Sequence, residues 1–157
     1  MLEQEPIARL IGAARRRIKQ ALGTRLRSHG LSPQQFGVLV SLDETPGTSV
    51  RALAKRLHMD EPTASRIVAG LVGRRLVQMK SDPSDRRKRH LVLSASGSAV
   101  AVRLRPIAHE VRAAVEAGFS SAEKDALRRF LVRVMANMEE LEGAMETRGV
   151  TADAGQP

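Results

Sequence analysis

Apolar residues recur at three- and four-residue steps through most of the chain, which indicates a mainly helical protein. The helices predicted from this pattern cover residues 5–26, 33–42, 50–58, 61–75, 94–117 and 121–142. Two short runs, LVQMK and HLVLS, have strand character instead, and the nine residues SDPSDRRKR join them. We therefore expect a mainly α fold with a small two-stranded β wing.

Capping residues indicate where several of these helices begin. Ser32 and Gln35 have the spacing of a capping box, and Ser120 and Glu123 repeat it. Asp60 is a good N-cap for the helix that follows it. The two short helices around the turn HMD therefore predict a helix-turn-helix.

The chain is expected to have three parts. A helical dimerisation region comprises 1–30 and 95–142, a winged helix-turn-helix DNA-binding domain covers 31–94, and the polar tail 143–157 is expected to be disordered. In the last helix, apolar residues repeat at coiled-coil-like spacing. The candidate dimerisation residues in the first and last helices are Ile7, Ile11, Ile18, Leu127, Leu131, Val134 and Met138. The alternative is that these helices only cover the core of their own chain.

Composition narrows the possible functions. Aromatic residues make up only 2% of the chain, so the core must be aliphatic and base-stacking platforms are hard to build. The chain has no cysteine, which excludes disulfides and thiolate metal sites. No apolar stretch is long enough to span a membrane and no signal peptide is apparent, so we expect a cytoplasmic protein without a membrane partner.

Positive charge is concentrated in the first 90 residues. They contain 18 basic residues (Lys and Arg) and 8 acidic residues (Asp and Glu). Residues 91–157 contain 8 basic and 9 acidic residues. Such asymmetry predicts a polyanionic partner, either nucleic acid or an acidic membrane surface.

The predicted helix over 61–75 has an unusual outer face. At about 100° per residue, Ala64, Ile67, Val68, Leu71 and Val72 form the core side. The opposite side contains Pro62, Arg66, Ala69, Gly70 and Gly73, and Thr63 and Ser65 flank it. A solvated face would normally carry Glu, Lys and Gln, so small residues beside one arginine indicate close approach to a partner. We expect Pro62, Thr63, Ser65, Arg66 and Ala69 to contact the DNA major groove. The alternative is packing against another helix.

The loop of the predicted wing is strongly basic. Arg86, Arg87, Lys88 and Arg89 are consecutive and repel one another unless a polyanion or paired acids offset them. Asp85 can bind one guanidinium and so orient another arginine towards DNA. The alternative is a solvated run of charge on a hairpin.

These segments together resemble the MarR (multiple antibiotic resistance regulator) family of winged-helix transcription factors. The resemblance covers roughly residues 5 to 142 and is most specific in DPSDRR, which follows GRRLV and precedes a short strand. Asp85 and Arg87 occupy the family's Asp-x-Arg wing motif. The resemblance implies that 60–75 is the recognition helix and that the first, fifth and sixth helices form a homodimer. Two departures are Ser94, where threonine is usual, and Pro62, where a hydroxyl residue is more common.

The resemblance also implies a small phenolic or anionic ligand in a cleft, for which His29, Phe36 and His109 are candidates. A histidine near a helix end is more often a surface or capping residue. The four histidines are scattered, so we expect no metal and no cofactor. No catalytic motif is present, and we expect no enzyme.

We therefore interpret the chain as a sequence-specific double-stranded DNA-binding regulator. It is expected to be a ligand-responsive repressor that binds a pseudo-palindromic operator as a homodimer. The alternatives are a winged-helix module that binds another protein, and a transcriptional activator without a small-molecule ligand.

Overall fold

The structure, a computed structural model, describes residues 4–81 and 89–153, with side chains as far as 144. It confirms the mainly α fold with a two-stranded antiparallel wing. The elements are α1 (Ile7–Leu26), α2 (Pro33–Glu44), α3 (Val50–Arg56), α4 (Glu61–Gly73), β1 (Val77–Ser81), β2 (Arg89–Leu93), α5 (Ala95–Glu116) and α6 (Ser121–Asp153). The chain divides into two compact units, 1–115 and 116–157.

The core of the first unit is aliphatic, as the composition predicts. One cluster joins side chains from α1 to α5 and both strands, and Phe36 is its only aromatic member among the described residues. The largest fully buried side chains are Leu26, Leu39, Leu42, Leu53, Leu71, Leu91, Leu104, Val38 and Val77. Because α2, α3 and α4 each contribute to this cluster, burial fixes the helix-turn-helix against the rest of the unit.

The predicted helix starts are confirmed by their hydrogen bonds. The backbone N–H of Gln35 donates to Ser32 Oγ at 3.1 Å, and the N–H of Ser32 donates to Gln35 Oε1 at 3.0 Å. Glu123 and Ser120 form the same reciprocal pair at the start of α6. Local side-chain chemistry therefore sets both boundaries.

Backbone hydrogen bonds join the wing to the turn between α2 and α3. The sequence pattern predicted the turn but not this connection. In the wing, β1 and β2 pair from Val77 opposite Leu93 to Ser81 opposite Arg89. Leu91 also donates to the Thr48 carbonyl at 2.8 Å and accepts from the Gly47 N–H at 3.0 Å. This isolated bridge gives β2 a second backbone partner.

The final helix is longer than the sequence predicts. The sequence analysis expected a tail to begin at 143, whereas α6 continues to Asp153. A single glycine costs a helix only about 1 kcal/mol, and the residues after Gly143 include Ala144, Met145 and Glu146, which are good helix formers. The rest of that predicted tail lies outside the described residues.

Candidate nucleic-acid interface

The turn between α3 and α4 places α4 at the surface of the first unit. His58 adopts a left-handed conformation with φ of 50°, and the Met59 N–H donates back to the Ala54 carbonyl at 3.0 Å. Asp60 then caps α4, since its Oδ1 accepts from the Thr63 N–H at 2.8 Å. This hydrogen bond to the ionised form lowers the pKa of Asp60 below its usual range.

One face of α4 is buried, largely as predicted. Ala64, Val68 and Leu71 lie in the core, and Ile67 is half-buried. Val72, which the periodicity assigned to the core side, is 37% exposed. It lies at the edge of the apolar stripe near the end of the helix, where fewer neighbours cover it.

The opposite face of α4 is open to solvent. We define the recognition face as Pro62, Thr63, Ser65, Arg66, Ala69, Gly70 and Gly73, of which only Thr63 is half-buried. A Cβ added at Gly70 or at Gly73 would meet nothing within 4 Å. Within residues 4–81 and 89–115, therefore, no other helix packs on these glycines, which favours an open face over the alternative of packing against another helix.

Arg66 is oriented by its own helix. Its Nη2 donates to Thr63 Oγ1 at 3.2 Å, one turn earlier. Thr63, Arg66 and Ile67 line a surface depression together with Gln34 from the first turn of α2. The sequence analysis did not identify Gln34 as a site residue. Gln34 lies between Ser32 and Gln35 of the capping box, and that position indicated an exposed residue at the start of a helix.

The predicted wing residues are only partly described. Arg89 begins β2 and is exposed. The predicted contacts at Asp85, Arg86, Arg87 and Lys88 lie outside the described residues. On the neighbouring strand, Lys80 adds an exposed cation that the sequence interpretation did not single out.

The three candidate ligand residues occupy different environments. His29 is half-buried in a short 3-10 turn before Gly30, Phe36 is buried in the core cluster, and His109 is exposed on α5. The depression beside Gln34 includes none of them. The structure thus gives Phe36 a packing role, while a ligand role for any of the three stays a prediction.

The candidate dimerisation residues are largely exposed in the single chain. In α1, Ile7 and Ile18 are exposed and Ile11 is half-buried. We define the α6 seam as Leu127, Leu131, Val134, Met138 and Leu141, of which only Val134 is half-buried. Phe130 and Met135 flank this seam and are also exposed.

Other kinds of site find no support in the described parts of the chain. No group of three or more His, Asp or Glu side chains there could hold a metal ion. Across those same residues, no helix is both long and apolar enough to cross a bilayer.

An exposed helix of small residues after a tight turn, followed by a basic two-stranded wing, defines a winged helix-turn-helix DNA-binding protein. The MarR family model matches residues 29–88, which span the helix-turn-helix and most of the wing. The chain belongs to the MarR family of transcriptional regulators. This confirms the resemblance and agrees with the expectation of a regulator rather than an enzyme.

Similar proteins support this membership. The chain is 32% identical over 113 residues to the HTH-type transcriptional repressor NicR of Pseudomonas putida, covering 72% of this chain and 71% of that protein. A probable transcriptional regulator from Pseudomonas aeruginosa superposes with a TM-score of 0.71 at 29% identity, over 85% of this chain and 99% of that one. Bordetella bronchiseptica BpsR, whose DNA binding is regulated by 6-hydroxynicotinic acid, superposes with a TM-score of 0.71 at 26% identity. The superposition covers 84% of this chain and 94% of that one.

Proposed function

We propose that this chain is a cytoplasmic homodimeric repressor that binds a pseudo-palindromic DNA operator and is released by a small aromatic acid. The observation that carries the proposal is the recognition face, where two glycines open to solvent lie beside Arg66. Small side chains allow the helix backbone to approach base edges, and a guanidinium can donate two hydrogen bonds to guanine. Exposed Lys80 and Arg89 on the wing supply charge for the phosphate backbone.

The exposed α6 seam supports the homodimer. A run of large apolar side chains at heptad spacing is unfavourable in water, and a second copy would cover it. A two-fold axis would then present two recognition helices to two half-sites about one helical turn apart. The wing residues Asp85, Arg86, Arg87 and Lys88 would contact DNA beside each half-site.

Two similar proteins support the proposals that this chain represses transcription and that it responds to a ligand. NicR is named a repressor, and BpsR responds to 6-hydroxynicotinic acid. We infer that this chain responds to a ligand of the same class, a small aromatic ring with a carboxylate or phenolic oxygen. His29 and His109 would supply its polar contacts, and release would follow from a shift to a dimer that fits two successive grooves poorly.

Selection from random duplex DNA tests the DNA-binding proposal. We expect enrichment of an inverted repeat whose half-sites are centred about one helical turn apart. No enrichment at low ionic strength would contradict DNA recognition, and enrichment of a single half-site would contradict the dimer. Binding to another protein through an apolar interface would instead show little salt dependence.

Titration of the selected complex with 6-hydroxynicotinic acid tests the ligand class. Release is expected with the acid, while 6-hydroxynicotinamide, which lacks the negative carboxylate, serves as the matched control. Equal release by both compounds would show that the carboxylate is not recognised. No release by this acid or by simple phenolic acids would contradict the proposed ligand class.

A further inference from the structure

Two consecutive arginines follow α4, and they have different surroundings. Arg74 Nη1 donates to the Gly30 carbonyl at 2.9 Å, so this guanidinium ties the end of α4 to the α1–α2 junction. Arg75 has a backbone φ of 58°, a left-handed conformation that favours glycine. Glycine would take this conformation without strain, so the presence of arginine requires a reason.

Serine hydroxyls at the start of α5 hold Arg75 in this conformation. Ser94 Oγ and Ser96 Oγ lie 2.6 and 2.8 Å from the Arg75 carbonyl oxygen. Each hydroxyl has one proton to donate, and Ser94 Oγ is in turn an acceptor for the Gly97 N–H at 2.9 Å. The next carbonyl, that of Leu76, accepts from the Ser94 N–H at 3.0 Å. The strained residue is therefore fixed by hydrogen bonds on its own carbonyl and on the following one.

Arg75 is exposed and lines a surface depression between α4 and the wing, which we define as the wing groove. Its lining residues are Val72, Arg75, Val77, Gln78, Met79, Lys80 and Arg89. Arg75, Lys80 and Arg89 have no ion-pair partner among residues 4–81 and 89–144. Three cations therefore line one depression, and none of its described lining residues is acidic.

The wing groove adjoins the recognition face. Val72 lies only about 20° around α4 from Ser65, since seven residues complete almost two turns. DNA that contacts Ser65 would therefore bring its backbone near the groove. Phosphate is the partner that fits three cations in this position.

We propose that Arg75 is a phosphate-contacting residue of the DNA interface, held in a strained left-handed conformation by Ser94 and Ser96. This inference rests on the proposed DNA-binding function. It adds a contact at the junction between the recognition helix and the wing, outside the basic wing loop. Arg74, in contrast, acts within the chain by binding Gly30.

Exchanging Arg75 for residues that accept the left-handed backbone tests this role. Arg75→Gly and Arg75→Asn should keep or raise the melting temperature, because both residues tolerate positive φ. Their affinity for operator and scrambled duplexes should fall alike, by about five- to tenfold at low salt. The slope of log affinity against log salt should decrease by about 0.9, the value for one phosphate contact. Arg75→Lys should keep most of the slope.

Two further variants separate this role from general effects of charge. Arg103→Ala removes an exposed cation of α5 outside the groove and should leave the slope unchanged. Arg74→Ala should lower the melting temperature, because the Gly30 carbonyl loses its partner. A wild-type salt slope in well-folded Arg75→Gly would overturn the inference, as would equal losses in Arg75→Gly and Arg75→Lys. If the wild-type chain bound no duplex DNA, the proposed function itself would fail.

Discussion

The recognition face of α4 and the α6 seam are both exposed in the single chain, but their chemistry is opposite. The α4 face combines glycine, alanine, serine and one arginine, whereas the α6 seam consists of leucine, valine and methionine. The first leaves room for a partner to approach the backbone and supplies a positive charge. The second presents apolar area that water hydrates unfavourably.

The comparison shows that exposure alone does not identify a binding surface. Helices of a monomeric protein usually expose Glu, Lys and Gln, and both surfaces depart from that composition in different directions. An open, cationic face fits a polyanion, and an exposed apolar stripe fits a second apolar helix. Substitutions on the two helices should therefore have different effects.

The largest expected effect comes from a charge in the α6 seam. Leu131→Asp should convert the proposed dimer to a monomer and weaken operator binding by about a hundredfold or more, because each monomer then presents one recognition helix. Val132→Asp is the matched control, since Val132 lies away from the seam although it is 60% exposed. Analytical ultracentrifugation and operator titration measure both effects. A dimeric Leu131→Asp variant would contradict the assigned seam.

Substitution of a wing arginine and of the recognition-face arginine should have different kinds of effect on DNA binding. Arg87→Ala should weaken binding to every duplex and reduce the salt slope, whereas Arg66→Ala should cost about 1–3 kcal/mol and relax base preference at one operator position. Ser65→Ala should also alter base preference, by less. Titrations against operator variants distinguish these outcomes. Equal losses on every sequence for all three variants would contradict the assigned roles.

Adding a methyl group to a glycine of each helix gives a smaller effect. Gly70→Ala and Gly143→Ala should each stabilise their helix by about 0.5–1 kcal/mol, since the added Cβ meets nothing within 4 Å at either position. Only Gly70→Ala should also weaken DNA binding, because its methyl group lies on the recognition face. Thermal unfolding and operator titration of the two variants test this difference. Unchanged DNA affinity in Gly70→Ala would argue against close approach of this face.

The last prediction concerns the cap of α4, where no change in DNA contacts is expected. The pKa of Asp60 is lowered by its hydrogen bond from the Thr63 N–H, so its contribution to stability is present above the pKa of the unfolded chain. That contribution is lost as pH falls through the lower pKa of the folded chain. Asp60→Ala should therefore be less stable than wild type at neutral pH, with a difference that shrinks in acid. A difference that is constant with pH would contradict the role of the carboxylate.

The sequence predicted the features that depend on local chemistry. Hydroxyl and carboxylate caps at Ser32, Asp60 and Ser120 determine helix starts over three residues, and each was identified from spacing alone. The exposed face of α4 was predicted as well, because helical periodicity places its small residues together.

Contacts between distant segments were not predictable in this way. The Arg74–Gly30 hydrogen bond joins residues 44 apart, and the bridge from Thr48 to Leu91 joins the α2–α3 turn to the wing. No periodicity encodes such pairs, because they depend on how the helices pack. The conformation of Arg75 was also missed, since arginine carries no sequence signal for a left-handed backbone.

Gly97 has a further consequence for the proposed release of DNA. A Cβ at this position would lie 1.9 Å from the Leu76 carbonyl oxygen, so the start of α5 rests directly on the root of the wing. The Ser94 and Ser96 hydroxyls bond to the carbonyl of Arg75, the residue before Leu76, so the residues after α4, the start of β1 and the start of α5 are joined by direct contacts. If the proposed ligand acts by tilting α5, we expect α4 and the wing to move away from DNA together.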